Sequence, residues 1–213
     1  MDKRNLLSKA NYYYITDGEA EIPIVDQVQR AVENDVKVIQ YREKTKSDRE
    51  KYEELKKIRD ICGENALLIV NDRADLALAV DADGIHLGQN DLPLDEVRKF
   101  AENLLIGLST HELEQAKESE SLADYLAVGP IFRTKTKEDT DPELGIEKAK
   151  EISESVDLPT AAIGGIEEDD IESLVEHFDM ICAISSVTRD GDLSERISYF
   201  EEKIDEVKRR KNE

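Results

Sequence analysis

Eight short apolar runs, separated by polar stretches of helical length, are the feature that most constrains the fold of this chain. Short apolar runs are typical of buried strands, and each is followed here by a segment with amphipathic spacing. The runs cover residues 12–15, 36–40, 67–70, 84–87, 105–108, 125–128, 160–163 and 180–184. Strands that alternate with helices build parallel sheets, and eight such units complete a (β/α)8 barrel. The sequence therefore predicts an α/β protein with a TIM-barrel fold.

The borders of several helices are marked by a capping residue with an acidic partner three positions later. These pairs are Ser47 with Glu50, Ser109 with Glu112, and Asp192 with Glu195. No linker rich in glycine, serine or proline interrupts the chain. We therefore expect one barrel domain that spans residues 1–213.

The charge balance and the start of the chain limit the classes of partner and compartment. The 50 acidic and 29 basic side chains give a net charge of −21, and nucleic acid is bound through an excess of Lys and Arg, so we expect no nucleic-acid partner. The first residues carry charges and no long apolar stretch, which predicts neither a membrane span nor a secretory signal. A cytoplasmic protein with Cys62 and Cys182 as buried thiols is expected. The sequence leaves the oligomeric state open, and a homo-oligomer is one possibility.

Polar residues follow the second, third and fourth runs, and in a barrel the chemistry lies on the loops after the strands. An amide, a guanidinium and an ammonium group within 40–44 can hold an anion. Asp72 and Asp91 come from neighbouring loops, and a pair of carboxylates suits a hard cation such as Mg²⁺. From the residues alone, both are more often helix caps or loop carboxylates than metal ligands.

The later strand ends add hydroxyl groups, cations and glycines. Ser109 follows the fifth run, and hydroxyls alternate with cations over 133–137 after the sixth. Gly164 and Gly165 follow the seventh run, where barrels often bind a phosphate at a helix N-terminus. The acidic run 167–170 would repel that phosphate unless its side chains point outward.

Taken together, these segments resemble the thiamine-phosphate synthase family from residue 12 to the eighth strand. The motifs that carry the resemblance are Gln40-x-Arg42-Glu43-Lys44, Asn71-Asp72-Arg73, Gly84-Ile85-His86-Leu87-Gly88-Gln89, Gly107-Leu108-Ser109-Thr110-His111, Gly129-Pro130-Ile131-Phe132 and Thr134-x-Thr136-Lys137. Each motif alone is weak, whereas the ordered set is specific. The family usually has serine where this chain has Cys182.

The resemblance implies a transferase of thiamine biosynthesis that joins two small molecules with Mg²⁺ as cofactor. It condenses 4-amino-5-hydroxymethyl-2-methylpyrimidine diphosphate with 4-methyl-5-(2-phosphooxyethyl)thiazole, releasing pyrophosphate and leaving thiamine phosphate. The implied pyrimidine diphosphate site comprises Gln40, Tyr41, Arg42, Glu43, Lys44, Asn71, Ser109 and Lys137. Among these, Arg42, Lys44 and Lys137 are the implied catalytic cations. The implied thiazole phosphate site comprises Thr134, Lys135, Thr136, Gly165, Ile181 and Cys182. Asp72 and Asp91 would bind the metal.

Three other functions are alternatives to this one. The thiazole tautomerase branch of the same superfamily replaces the proline of the Gly-Pro-Ile-Phe motif with a catalytic histidine, and Pro130 argues against it. A non-catalytic thiamine-phosphate binding protein would not need both Asp72 and Asp91. A pentose-phosphate epimerase would lack the ordered motifs. We expect His86 to be an interior side chain and His111 to lie exposed in the first turn of a helix.

Overall fold

A single sheet of eight parallel strands, in the order β1 to β8, forms the centre of the molecule in the computed structural model, which describes residues 2–134, 142–189 and 191–212. The strands are β1 Tyr13–Ile15, β2 Val38–Tyr41, β3 Leu67–Asn71, β4 Gly84–Leu87, β5 Leu105–Thr110, β6 Tyr125–Val128, β7 Thr160–Ile163 and β8 Met180–Cys182. The sheet closes where β8 meets the start of β1, through a parallel bridge between Tyr12 and Ile181. The predicted (β/α)8 barrel is confirmed.

Helices follow the strands and surround the sheet. They are α1 Lys3–Ser8, α2 Ile24–Glu33, α3 Asp48–Cys62, α4 Ala74–Ala79, α5 Leu94–Phe100, α6 Leu113–Ser119, α7 Ile146–Ser153, α8 Ile171–Leu174, α9 Ser185–Thr188 and α10 Leu193–Asn212. Lys3 in α1 donates to the main-chain oxygens of Asp83 and Asn103, which precede β4 and β5. Helix α1 therefore covers the N-terminal end of the barrel. Within the described ranges, no helix combines the length and apolar character needed to span a bilayer.

The core has two layers because successive strand residues point to opposite faces of the sheet. Tyr13, Leu67 and Tyr125 belong to the cluster that fills the barrel, while Tyr14, Leu68 and Leu126 pack between the sheet and the helices. Strands buried on both faces read as continuous apolar runs. This is why the runs located the strands to within a few residues.

The predicted helix caps have different outcomes. Ser47 and Glu50 form the expected reciprocal capping box at the start of α3. Asp192 accepts hydrogen bonds from the main-chain N–H groups of Ser194 and Glu195, at 2.8 and 3.3 Å.

The prediction that Ser109 caps a helix was wrong. Strand β5 continues to Thr110 through its pairing with β6, and Glu112 occupies the capping position of α6. Ser109 is therefore a strand residue at the barrel mouth.

Candidate active site

Two carboxyl groups, those of Asp72 and Asp91, lie together at the C-terminal ends of β3 and β4. Burial and the nearby charge of Asp72 raise the pKa of Asp91, against a hydrogen bond of 2.7 Å from the main-chain N–H of Gly88. The two carboxyl groups are close enough to interact directly. Two carboxylates held this close repel each other when both are ionised, so the pair favours a cation between or beside them.

The main chain fixes the direction of both carboxylates. Asp72 has a φ of 60°, in the left-handed region, and its N–H donates to the oxygen of His86 at 2.9 Å. A β-carbon on Gly88 would lie 3.2 Å from Oδ2 of Asp91, which is tighter than ordinary contact. The left-handed backbone at Asp72 and the absence of a side chain at Gly88 therefore hold the two carboxylates in place at the rim.

The β2–α3 loop carries two cations, and one of them bonds to the carboxylate pair. The Nζ of Lys44 lies 2.6 Å from Oδ2 of Asp72, and the Lys44 side chain is half exposed. The main chain of Arg42 is bonded in both directions to Oγ1 of Thr16 on the preceding loop. The half-buried Arg42 forms no ion pair with any residue in the described part of the chain. Its guanidinium is therefore available to an anion.

Tyr41 and Glu43, grouped by the sequence with these cations, are engaged elsewhere. The hydroxyl of Tyr41 donates to Glu54 on α3 at 2.8 Å, so its ring faces the helix layer. The carboxylate of Glu43 accepts from the main chain and hydroxyl of Thr45, at 2.6 and 2.8 Å, and from the main chain of Lys46. Burial raises the pKa of Glu43, but these bonds outweigh it and hold the pKa below its ordinary value. Both side chains shape the loop.

Polar residues also line the barrel interior just below the rim. Gln40 is buried and donates to the hydroxyl of Tyr13 at 2.6 Å. Ser109, partly exposed at the mouth, lies 3.0 Å from Nε2 of His86 through its hydroxyl. Asn71 pairs in register with His86 across β3 and β4. The interior position predicted for His86 is confirmed.

The loops after β6 and β7 lie directly against each other. Main-chain N–H groups of Ile131 and Phe132 donate to the oxygens of Ile163 and Gly164, at 2.9 and 3.0 Å. Gly165 has a φ of 65°, and a β-carbon there would lie 2.7 Å from the oxygen of Arg133. The close approach of the two loops therefore requires glycine at this position.

The predicted thiazole phosphate residues fall into three groups. Thr134 and Gly165 belong to the adjoining loops, whereas Lys135, Thr136 and Lys137 lie outside the described residues. Ile181 packs in the helix-facing core and Cys182 in the barrel interior, where burial raises the pKa of the thiol. At the end of β8, the main chain is therefore better placed than either side chain to meet a phosphate.

The acidic run after Gly165 has its side chains engaged or exposed. Glu168 forms an ion pair with Arg196 on α10, in the outer layer. The side chain of Asp170 accepts from the main chain of Glu167 at 2.9 Å, and Asp169 is exposed. The run therefore does not need to oppose an anion at Gly165.

His111 is a rim residue that sequence reasoning missed. It precedes α6, is half-buried, and contacts the oxygen of Gly129 through Nδ1. The expectation of an exposed histidine in the first turn of a helix was wrong, because β5 runs on to Thr110. The available signal was its position directly after a strand-end motif.

The two carboxylates suit a hard cation whose coordination is completed by water and by substrate. No group of three or more His, Cys, Asp and Glu side chains that could hold a metal occurs in residues 2–134, 142–189 and 191–212. Mg²⁺ is commonly held by one or two carboxylates together with waters and substrate phosphates. The pair Asp72 and Asp91 fits that mode of binding.

Comparisons with known proteins show which family this chain resembles. Residues 12–187 match the family model described as thiamine monophosphate synthase. The thiamine-phosphate synthase of Methanosarcina barkeri is 41% identical over 211 residues, covering 97% of this chain and 94% of that protein. That of Pyrococcus furiosus is 42% identical over 206 residues, covering 95% and 99%.

A solved structure shows the same fold. The thiamine phosphate pyrophosphorylase from Pyrococcus furiosus matches with a TM-score of 0.87 and 39% identity, covering 95% of this chain and 99% of the other. The family match spans the strand-end motifs and all eight strands. This chain belongs to the thiamine monophosphate synthase family.

Proposed function

We propose that this chain is the transferase that joins 4-amino-5-hydroxymethyl-2-methylpyrimidine diphosphate to 4-methyl-5-(2-phosphooxyethyl)thiazole. The products are thiamine phosphate and pyrophosphate. The observation that carries the proposal is the carboxylate pair of Asp72 and Asp91 with Lys44 bonded to it at the rim. That combination suits a diphosphate leaving group bound with a divalent cation.

The reaction needs charge neutralisation and positioning. The bond between the pyrimidine methylene carbon and the diphosphate oxygen breaks, and its electron pair leaves with pyrophosphate. The amino group of the pyrimidine stabilises the carbon cation, and the lone pair of the thiazole nitrogen forms the new bond. No proton is removed, so no general base is required. The protein must hold both rings in line and stabilise the growing charge of pyrophosphate.

The pyrimidine diphosphate half of the site is proposed at the ends of β2 to β5. Arg42 and Lys44 clamp the diphosphate oxygens, and Lys137 joins them on the strength of the family motif. Asp72 and Asp91 hold Mg²⁺, which when bound would act as a Lewis acid on the same oxygens. The remaining contacts in this half come from Gln40, Asn71 and Ser109, with Tyr41 and Glu43 contributing through the main chain.

The thiazole phosphate half is proposed on the adjoining loops after β6, β7 and β8. Thr134 and Gly165 offer a hydroxyl and a main-chain N–H, and Lys135 and Thr136 extend the same motif. The end of β8 contributes through the main chain of Cys182, because the side chains of Ile181 and Cys182 pack in the core and the N–H of Ile181 already donates to the oxygen of Asn11 at 2.9 Å. The replacement of the family's serine by Cys182 then leaves phosphate binding unchanged.

A cytoplasmic setting and a single barrel domain over residues 1–213 belong to the same proposal. Cys62 and Cys182 are both free and buried, which suits a reducing compartment. The substrates are small molecules, and a homo-oligomer is compatible with this account.

Incubation of the purified protein with both substrates and Mg²⁺ tests the proposal, with thiamine phosphate separated by chromatography. We expect product only when both heterocycles are present. Conversion of a thiazole tautomer to its aromatic form, with no pyrimidine consumed, would support the tautomerase activity instead. Binding of thiamine phosphate without turnover would support the binding protein.

A further inference from the structure

A chain of hydrogen bonds crosses the barrel interior and connects two residues of the proposed pyrimidine site. Gln40 Nε2 lies 2.6 Å from the hydroxyl of Tyr13, which lies 2.7 Å from the hydroxyl of Tyr125. The Tyr125 hydroxyl lies 3.1 Å from Nδ1 of His86, and Nε2 of His86 lies 3.0 Å from Oγ of Ser109. Five strands contribute one residue each to this continuous path.

The middle of this hydrogen-bonded path is buried away from solvent. Tyr13 and Tyr125 are fully buried, and their rings meet edge to face at 5.8 Å. Burial raises the pKa of both tyrosines, so each hydroxyl keeps its single hydrogen. Gly107 makes room for this arrangement, because a β-carbon there would lie 2.1 Å from Cζ of Tyr125.

The donor and the acceptor of each hydrogen bond along this path can be assigned. Gln40 donates from its amide nitrogen, so the Tyr13 hydroxyl accepts this bond and gives its own hydrogen to Tyr125. The Tyr125 hydroxyl must then donate onward to Nδ1 of His86. A neutral imidazole that accepts at Nδ1 carries its hydrogen on Nε2, which donates to Ser109.

We propose that Tyr13, Tyr125 and His86 form a directed relay that orients the hydroxyl of Ser109 as a donor toward the bound pyrimidine diphosphate. Ser109 accepts from His86, so its own hydrogen stays available, and no described residue accepts it. The main chain of Ser109 is held from the other side by the amide of Gln89, at 2.7 Å. The three relay residues act through Ser109, and the inference rests on the proposed function.

The hydrogen position on His86 gives a test that needs no substrate. The protein is labelled with ¹⁵N in histidine and studied by NMR near pH 8, above the ordinary histidine pKa of about 6.5. With only three histidines in the chain, His111→Gln and His177→Gln each remove one set of signals and assign the third. We expect the Nε2–H tautomer of His86. A ring with its hydrogen on Nδ1 would overturn the relay, whatever the activity.

Tyr125→Phe removes the hydroxyl that links Tyr13 to His86, and Tyr14→Phe is its matched control. Tyr14 is the neighbour of Tyr13 and its buried hydroxyl also donates a hydrogen bond, but to Gln27 in the helix layer. Loss of one neutral hydrogen bond changes an equilibrium constant about two- to tenfold. We expect Tyr125→Phe to raise the KM for pyrimidine diphosphate by that factor, with a smaller change in kcat. The KM for thiazole phosphate should not change.

The control and a double variant separate positioning from general damage to the fold. Tyr14→Phe should leave both KM values and the His86 tautomer unchanged, even where its melting temperature falls as far as that of Tyr125→Phe. In a Ser109→Ala background, Tyr125→Phe should have no further effect on KM, because it acts through Ser109. Equal KM effects of the two tyrosine variants, or independent effects of Tyr125 and Ser109, would contradict the relay.

A wild-type protein that makes no thiamine phosphate would refute the proposed function, while the tautomer measurement would still judge the relay.

Discussion

The carboxyl group of Asp72 lies beside that of Asp91 and raises its pKa, although the two residues belong to different loops. A lysine from a third loop, Lys44, bonds to Oδ2 of Asp72 at 2.6 Å. Three consecutive β–α units thus place two negative charges and one positive charge at one point of the rim. In the proposed reaction, pyrophosphate departs at this place.

Neutralising either carboxylate should lower turnover strongly. We expect Asp72→Asn or Asp91→Asn to reduce kcat by about 100-fold or more, because stabilisation of leaving-group charge is lost in the transition state. Removal of Mg²⁺ with EDTA should abolish turnover of the wild-type protein. Asp95→Asn, an exposed carboxylate in the first turn of the neighbouring α5, is the matched control and should be neutral. Full activity of either rim variant would remove that carboxylate from the site.

Gly165→Ala should impair thiazole phosphate binding. The added β-carbon would meet the oxygen of Arg133 at 2.7 Å, in addition to the cost of a positive φ, about 1–2 kcal/mol for a residue other than glycine. The loops after β6 and β7 would have to separate. We expect a several-fold rise in the KM for thiazole phosphate, measured at saturating pyrimidine diphosphate.

Gly63→Ala controls for the backbone cost alone. Gly63 also has a positive φ, of 50°, but its β-carbon would have an ordinary contact of 3.9 Å, and the residue is the C-cap that follows α3. This variant should lower the melting temperature and leave the KM unchanged. The same KM change in both variants would mean that loop contact at Gly165 does not matter.

His111→Ala should weaken the rim between β5 and β6. The ring contacts the oxygen of Gly129, at the start of the proposed thiazole loop, and one hydrogen bond contributes about 0.5–1.5 kcal/mol. We expect a several-fold loss in kcat/KM for thiazole phosphate. His177→Ala, at the opposite end of the barrel beside Glu154, should be neutral in the same assay. Equal activity of the two variants would show that His111 has no part in the site.

Glu201→Gln should stabilise the protein at high pH. Burial raises the pKa of Glu201 to about 7 from its ordinary value of 4.5. The folded state therefore favours the protonated acid: this contribution to stability is complete below about 4.5 and is lost as the pH rises through 7. The glutamine variant avoids the buried charge, and its gain should reach at most about 3 kcal/mol at pH 8 to 9.

Thermal melts at about pH 5 and pH 8.5 measure this difference. Glu202→Gln, the exposed neighbour on α10, should show no change between the two pH values. A melting temperature gain for Glu201→Gln that is equal at both pH values would exclude titration of Glu201 as the cause.

The strand positions were predictable because each strand is buried on both faces and reads as a local apolar run. The shared position of Asp72 and Asp91 at one rim was predictable for the same reason, since the C-terminal ends of parallel strands meet at one edge. The interior chain through Tyr13 and Tyr125 could not be predicted in this way. It depends on register across strands that are distant in sequence, and both residues look like ordinary core aromatics. Ser109 was misplaced for a related reason, because pairing with β6, not local sequence, extends β5.

The face of the sheet to which a side chain points was the other feature that the spacing of the apolar runs could not predict. Tyr41 is the last residue of β2 and Ile181 is the middle residue of β8, yet each faces the helix layer, since alternate residues of a strand point to opposite sides. Cys182, one position later than Ile181, faces the interior. A single position in register thus decides whether a side chain faces the helix layer or the barrel interior.

The most direct test of the central claim is a time course that measures pyrophosphate and thiamine phosphate in the same reaction. With both substrates and Mg²⁺, the account predicts that the two products appear in equal amounts, and that both slow together by about 100-fold in Asp91→Asn. Pyrophosphate formed without thiamine phosphate, or thiamine phosphate formed at full rate by Asp91→Asn, would contradict it.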